Sequence, residues 1–170
     1  LRMDLALNYE FSRLTVDGDA EAERSLRFLK PKINVDWRIG DGWRAQASVA
    51  RTVAQLQFED FISAAELSNE RVNGGNPDLL PQRSWEALAT IEKQVLGDGQ
   101  VKIELGYTRT ALVQDRVPTP EGFDAPGNLG DGTSKIARAT FDIPVGRFGI
   151  KGGRISGRLS YIGTSVRDPY

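Results

Sequence analysis

The chain has 170 residues, a formal net charge of −1 and 39% hydrophobic residues. It contains no cysteine and no histidine, which excludes a disulfide framework, thiol chemistry, and the commonest general base and metal ligand. The balanced charge, with no basic cluster, speaks against nucleic acid, and no run approaches eighteen apolar residues, so no membrane helix is expected; a barrel in which only alternate residues face lipid stays open.

In chain order, seven segments alternate apolar and polar residues with a period of two, which places each set on one face of a sheet. Segment 1–16 sets Leu1, Met3, Leu5, Leu7, Tyr9 and Phe11 against Arg2, Asp4, Asn8, Glu10 and Ser12. The connection 17–23 follows. Its Asp17, Asp19, Glu21 and Glu23 lack the glycine and distant glutamate of a calcium loop and read as a solvated acidic loop. Segment 24–39 carries Ile33, Val35, Trp37 and Ile39, and Gly40-Asp41-Gly42 supplies a tight turn into 43–57, with Trp43, Ala45, Ala47 and Val49. The connection 58–83 is long; Phe61 to Leu67 could form a helical turn or two. Segment 84–95 holds Trp85, Ala87, Ala89 and Ile91, and Gly97-Asp98-Gly99 supplies the positive-φ conformations of a second tight turn. Segment 100–116 holds Val101, Ile103, Leu105 and Tyr107. Residues 117–132, rich in proline and glycine, form another long connection; the stretch from Gly127 to Lys135 is no phosphate loop, because the lysine is misplaced and a strand follows. Segments 133–145 and 153–166 flank a third tight connection at 146–152.

These segments are long against the usual five or six residues of a strand. Bilayer-crossing strands need about nine to eleven. Connections alternate short and long, as they do on the two rims of an outer-membrane barrel. The expected fold is all-β: an antiparallel up-and-down meander of about seven long strands, residues 1–170 forming one segment of a larger transmembrane barrel. The chain begins inside a strand and ends soon after one, which suggests a fragment. Glu10, Arg44, Glu86, Glu92, Lys102, Glu104, Arg138, Asp142, Arg154 and Arg158 are expected on the polar, lumen-side face.

The stretch Asn76-Pro77-Asp78-Leu79-Leu80-Pro81-Gln82 resembles the Asn-Pro-x-Leu-x-Pro-Glu signature of TonB-dependent outer-membrane receptors, with Gln82 where that family often has glutamate. The run-in Leu67-Ser68-Asn69-Glu70-Arg71-Val72 and the later Asp124 to Thr133 are also similar to that family. The resemblance implies a 22-stranded barrel in a bacterial (Gram-negative) outer membrane whose lumen holds a plug. It implies active uptake of a scarce bulky nutrient (a siderophore, cobalamin, an oligosaccharide or a metal complex), powered through TonB acting on that plug. No catalytic residue, metal or cofactor is expected, and no enzyme. Asn69, Arg71, Asn73 and Asn76, in the long connection, are candidate substrate contacts. Arg13, Arg51, Arg109 and Lys135 break the apolar alternation in four strands. They are expected at the outer membrane interface, either pairing with lipopolysaccharide phosphates or merely snorkelling to water. The Pro-Asp-Leu-Leu-Pro stretch has a plainer reading too, as punctuation that steers the chain back into a strand. A different class of function, a soluble β-sheet binding module such as a carbohydrate-recognising sandwich, also fits alternation alone. Prepared alone, the chain has two open sheet edges and is expected to self-associate.

Overall fold

The computed structural model describes residues 1–16, 22–56, 60, 64–66, 71–73, 75–76, 78–120, 122, 124–146 and 152–169. In chain order the strands are β1 (Arg2–Val16), β2 (Ala22–Gly40), β3 (Trp43–Val53), β4 (Ala64–Glu66), β5 (Arg71–Asn73), β6 (Arg83–Val95), β7 (Gly99–Ala111), β8 (Gln114–Pro118), β9 (Asp124–Asn128), β10 (Gly132–Pro144) and β11 (Arg154–Val166). Seven of them form one sheet in the order β1-β2-β3-β6-β7-β10-β11, every neighbouring pair antiparallel. This is the expected meander. The tight turns therefore share one rim, and the connections β1–β2, β3–β6 and β7–β10 share the other.

Register keeps the two faces separate across the whole sheet. Met3 pairs with Val35, Val35 with Ala47, Ala47 with Ala89, Ala89 with Leu105, Leu105 with Ala137, and Ala137 with Tyr161. One unbroken apolar face results, and nothing in the described chain covers it. Leu5, Leu105 and Leu159 are 67%, 55% and 69% exposed. A sandwich would bury these side chains under a second sheet.

Of the tight turns at β2–β3 and β6–β7, the first is as expected and the second departs from expectation. At β2–β3, Asp41 (φ 50°) and Gly42 (φ 75°) are both left-handed, as a two-residue primed turn requires. At β6–β7 the left-handed residues are Leu96 (φ 53°) and Gly97 (φ 93°), one position earlier than the sequence suggests. Gly99 lies inside β7 and is needed for space. A Cβ there would stand 2.5 Å from Pro144 Cδ and 2.7 Å from the Val95 carbonyl oxygen.

Two strands also end earlier than expected. β3 ends at Val53 instead of 57, with one further in-register bond, Ala54 N–H to the Gln82 carbonyl, beyond its last paired residue. β7 ends at Ala111 instead of 116, where Leu112 adopts φ 58°. Residues 117–132 are not plain loop. β8 and β9 form a separate two-stranded ribbon, and β4 pairs with β5, so Ala64–Glu66 is extended rather than helical.

Candidate functional site

Chemistry gathers in three places: the polar face, the upper part of the apolar face, and the long-connection rim. On the polar face, cations and anions on adjacent strands pair off. Lys30 pairs with Glu10, and Arg44 with Asp36, which also accepts a bond from Gln46 Nε2 at 2.9 Å. Glu104 stands 3.2 Å from Lys102 and 3.5 Å from Arg138. Arg154 joins Asp98 at 2.6 Å and Asp142 at 3.0 Å. Glu10, Arg44, Lys102, Glu104, Arg138, Asp142 and Arg154 are among the polar positions the alternation assigned, and these ion pairs largely neutralise one another's charge. A crevice of about 420 Å³ opens on this face beside Asp4, Asn34, Asp36, Ser48 and Thr90.

On the apolar face, aromatic residues mark two levels. Trp43 pairs with Lys93 near the tight turns. Lys93 Nζ lies over the Trp43 ring, 4.9 Å from its centre, and donates to the Asp41 carbonyl. Eight positions along β6 from Lys93, Trp85 stands between Arg51 and Arg109 in one row of register partners. With about 3.3 Å per residue and a tilt near 40°, that separation climbs about 20 Å. Lys135 pairs with Tyr107, one face-row lower, and Arg13 sits high on β1 opposite Ser25. Arg109 reaches Asp131 at 3.1 Å, and Arg51 Nη1 lies 3.5 Å from the Leu29 carbonyl oxygen.

The long-connection rim holds most of the small buried core. Leu79 is only 1% exposed, and Val117 and Ala125 are buried with it. Side-chain amides stitch the connections together. Asn128 Oδ1 accepts from the Leu80 N–H at 2.8 Å while its Nδ2 donates to the Leu80 carbonyl at 2.8 Å and the Leu112 carbonyl at 3.2 Å. Gln82 Oε1 accepts from the Gln114 N–H at 3.2 Å, and Gln114 Nε2 donates back to the Leu80 carbonyl at 3.2 Å.

Of the candidate substrate contacts, Asn69 lies outside the described residues. Arg71 and Asn73 lie in β5, pairing with Glu66 and Ala64. Asn76 uses both ends of its amide within the chain: Nδ2 donates to the Pro126 carbonyl and Oδ1 accepts from the Asp78 N–H, each at 2.9 Å. The sequence did not single out Asn128, Gln114 or Leu79 for this seam. An amide flanked by Gly127 and Leu129 carries no local signal of a partner 48 residues away. The acidic residues Asp17, Asp19 and Glu21 lie outside the described residues, and among the described ones no group of three acidic side chains is placed to hold a metal.

No helix among the described residues is long and apolar enough to cross a membrane, a finding that does not bear on strands. No protein-family model matches the chain, and no curated protein matches it.

Proposed function

We propose that this chain is a wall segment of a TonB-dependent outer-membrane receptor, a 22-stranded barrel that takes up a scarce bulky nutrient. The observation that carries the reading is the uncovered apolar face running through all seven strands, backed by an ion-paired polar face. In water such a face carries a large hydrophobic penalty; in a bilayer it is the lipid surface. The two aromatic levels support this, since their separation of about 20 Å approaches the apolar band of about 25 Å in such barrels. The slant of the turn rim supports it as well. The β6–β7 hairpin closes at Val95 and Gly99, two residues beyond the Lys93–Val101 pair that lies level with Trp43. The β10–β11 hairpin closes at Pro144, three beyond Phe141, the partner of Val101. Barrel closure needs stagger of this sort.

In this reading the polar face meets the plug and lumen water, and TonB acts through that plug. Asn69, Arg71 and Asn73 meet the nutrient from outside, and Arg13, Arg51, Arg109 and Lys135 meet lipopolysaccharide. Nitroxide labels test the facing directly in bilayers. Labels at Leu7, Val49 and Leu105 are expected to be quenched by lipid-soluble reagents, and labels at Asn8, Ser48 and Glu104 are not. A chain that is monodisperse without detergent, with its apolar labels hidden from every quencher, is a soluble module instead.

A further inference from the structure

The seam at the long-connection rim joins two connections that the sheet itself leaves separate. The segment 78–82 belongs to the β3–β6 connection, and the β8–β9 ribbon belongs to the β7–β10 connection. Between them run the two-way Asn128–Leu80 bonds, the two bonds that Gln114 donates (N–H to Gln82 Oε1 and Nε2 to the Leu80 carbonyl) and the Asn76–Pro126 bond. Leu79 is buried at the same rim as Val117 and Ala125. The segment is anchored below by Ala54 N–H to the Gln82 carbonyl, at 3.0 Å, and the end of the ribbon by Gly130 N–H to the Arg167 carbonyl, at 2.9 Å. The Asn128 amide pairs with the backbone of one residue as a neighbouring strand would, accepting from the Leu80 N–H and donating to the Leu80 carbonyl; an aspartate could only accept.

We infer that residues 78–82 are a strap that locks the two long connections into one body, so that a ligand touching either connection shifts both together. The inference concerns the rim alone and stands whether or not the sheet lies in a membrane. Linkage makes the effect reciprocal: free energy gained by ordering one connection is felt at the other through the same bonds.

The chain has no cysteine, so thiol-directed nitroxides can be placed cleanly at Leu80 and Asp115, whose side chains are exposed. The folded chain in detergent is expected to give one narrow inter-label distance. Asn128→Asp, which keeps the size and removes the donor, is expected to broaden it, and Asn128→Ala to broaden it further. A reference pair at Leu5 and Leu159, on the sheet, is expected to be unchanged. Hydrogen exchange is read on the same variants without labels. Leu80 and Gln114 amides are expected to lose protection together, by tenfold or more, although Asn128 bonds only to the first. A distance that stays narrow in both variants, or lost protection confined to Leu80, overturns the strap.

Discussion

Glycine serves two separate purposes in this sheet, and neighbouring positions separate them. At Gly99 the constraint is room, since β7 passes close to Pro144 and the Val95 carbonyl. At Gly106 a Cβ would meet Ile136 Cβ at 3.5 Å and Leu88 Cδ1 at 3.6 Å, ordinary contacts. Gly99→Ala is therefore expected to destabilise by about 1–3 kcal/mol through overpacking. Gly106→Ala is expected to be neutral or to stabilise by up to about 1 kcal/mol, because a strand glycine loses more chain entropy on folding than alanine. Denaturant midpoints in detergent measure both. Equal losses at the two sites would show that the Gly99 contact relaxes freely. Residues of the first kind are invisible in a sequence. Gly99 reads as turn glycine because it follows Gly97-Asp98, whereas the turn actually uses Leu96 and Gly97.

Among the elements, the seven long strands were legible because a sheet with two unlike faces writes its period directly into the residues. Leu105 against Glu104 and Val49 against Ser48 are separated by the face each occupies. The β8–β9 ribbon was not legible. Asp124-Ala125-Pro126-Gly127-Asn128 has loop composition, and it is extended because it pairs with Gln114–Pro118 and fits against Leu79's side of the rim. Its tightest point is Gly127, where a Cβ would lie 2.3 Å from Val117 Cγ2 and 2.8 Å from Cγ1. Gly127→Ala is expected to unseat this ribbon at a cost of about 1–3 kcal/mol. Amide protection should then vanish over 114–128 and persist over Arg83–Val95. Protection retained in the ribbon would mean that Val117 rotates out of the way. The seam residues were half legible: the Asn-Pro-Asp-Leu-Leu-Pro-Gln stretch stands out, but its partners in the other connection do not.

At the scale of the whole molecule, the sheet places its basic exceptions on a slant. Arg51 and Arg109 share a row, Lys135 lies one face-row nearer the turns, and Arg13 lies farther from them. A cation costs about 0–1 kcal/mol at a membrane interface and about 2–4 at the midplane, so in the proposed barrel such a row would mark one level of a tilted wall. Arg51→Gln with Arg109→Gln is expected to weaken lipopolysaccharide retention through purification and to leave assembly intact. Unchanged retention would assign these side chains to snorkelling, with Arg109 held by Asp131.

The strand count has one more consequence. Seven antiparallel strands leave β1 and β11 running in the same direction at opposite edges. A copy joined head to tail, β11 to β1, would have to pair in parallel, which is the slightly weaker ladder. Antiparallel joining brings β1 to β1 or β11 to β11 about a two-fold axis, and that turns one copy upside down. The isolated chain is thus expected to form inverted pairs, with tight turns and long connections at both ends, and never a uniform ring. Cross-linking reads this out with cysteines placed at Met3 and Arg13 in β1, and in a second variant at Met3 in β1 and Tyr161 in β11: in an inverted β1–β1 pair Met3 links to Arg13 of the other copy, whereas links only between Met3 and Tyr161 of different copies would mean parallel, head-to-tail growth. A self-made assembly of inverted pairs would have no inside and outside of its own, so a vectorial function needs further strands that let every copy or segment of the wall face the same way.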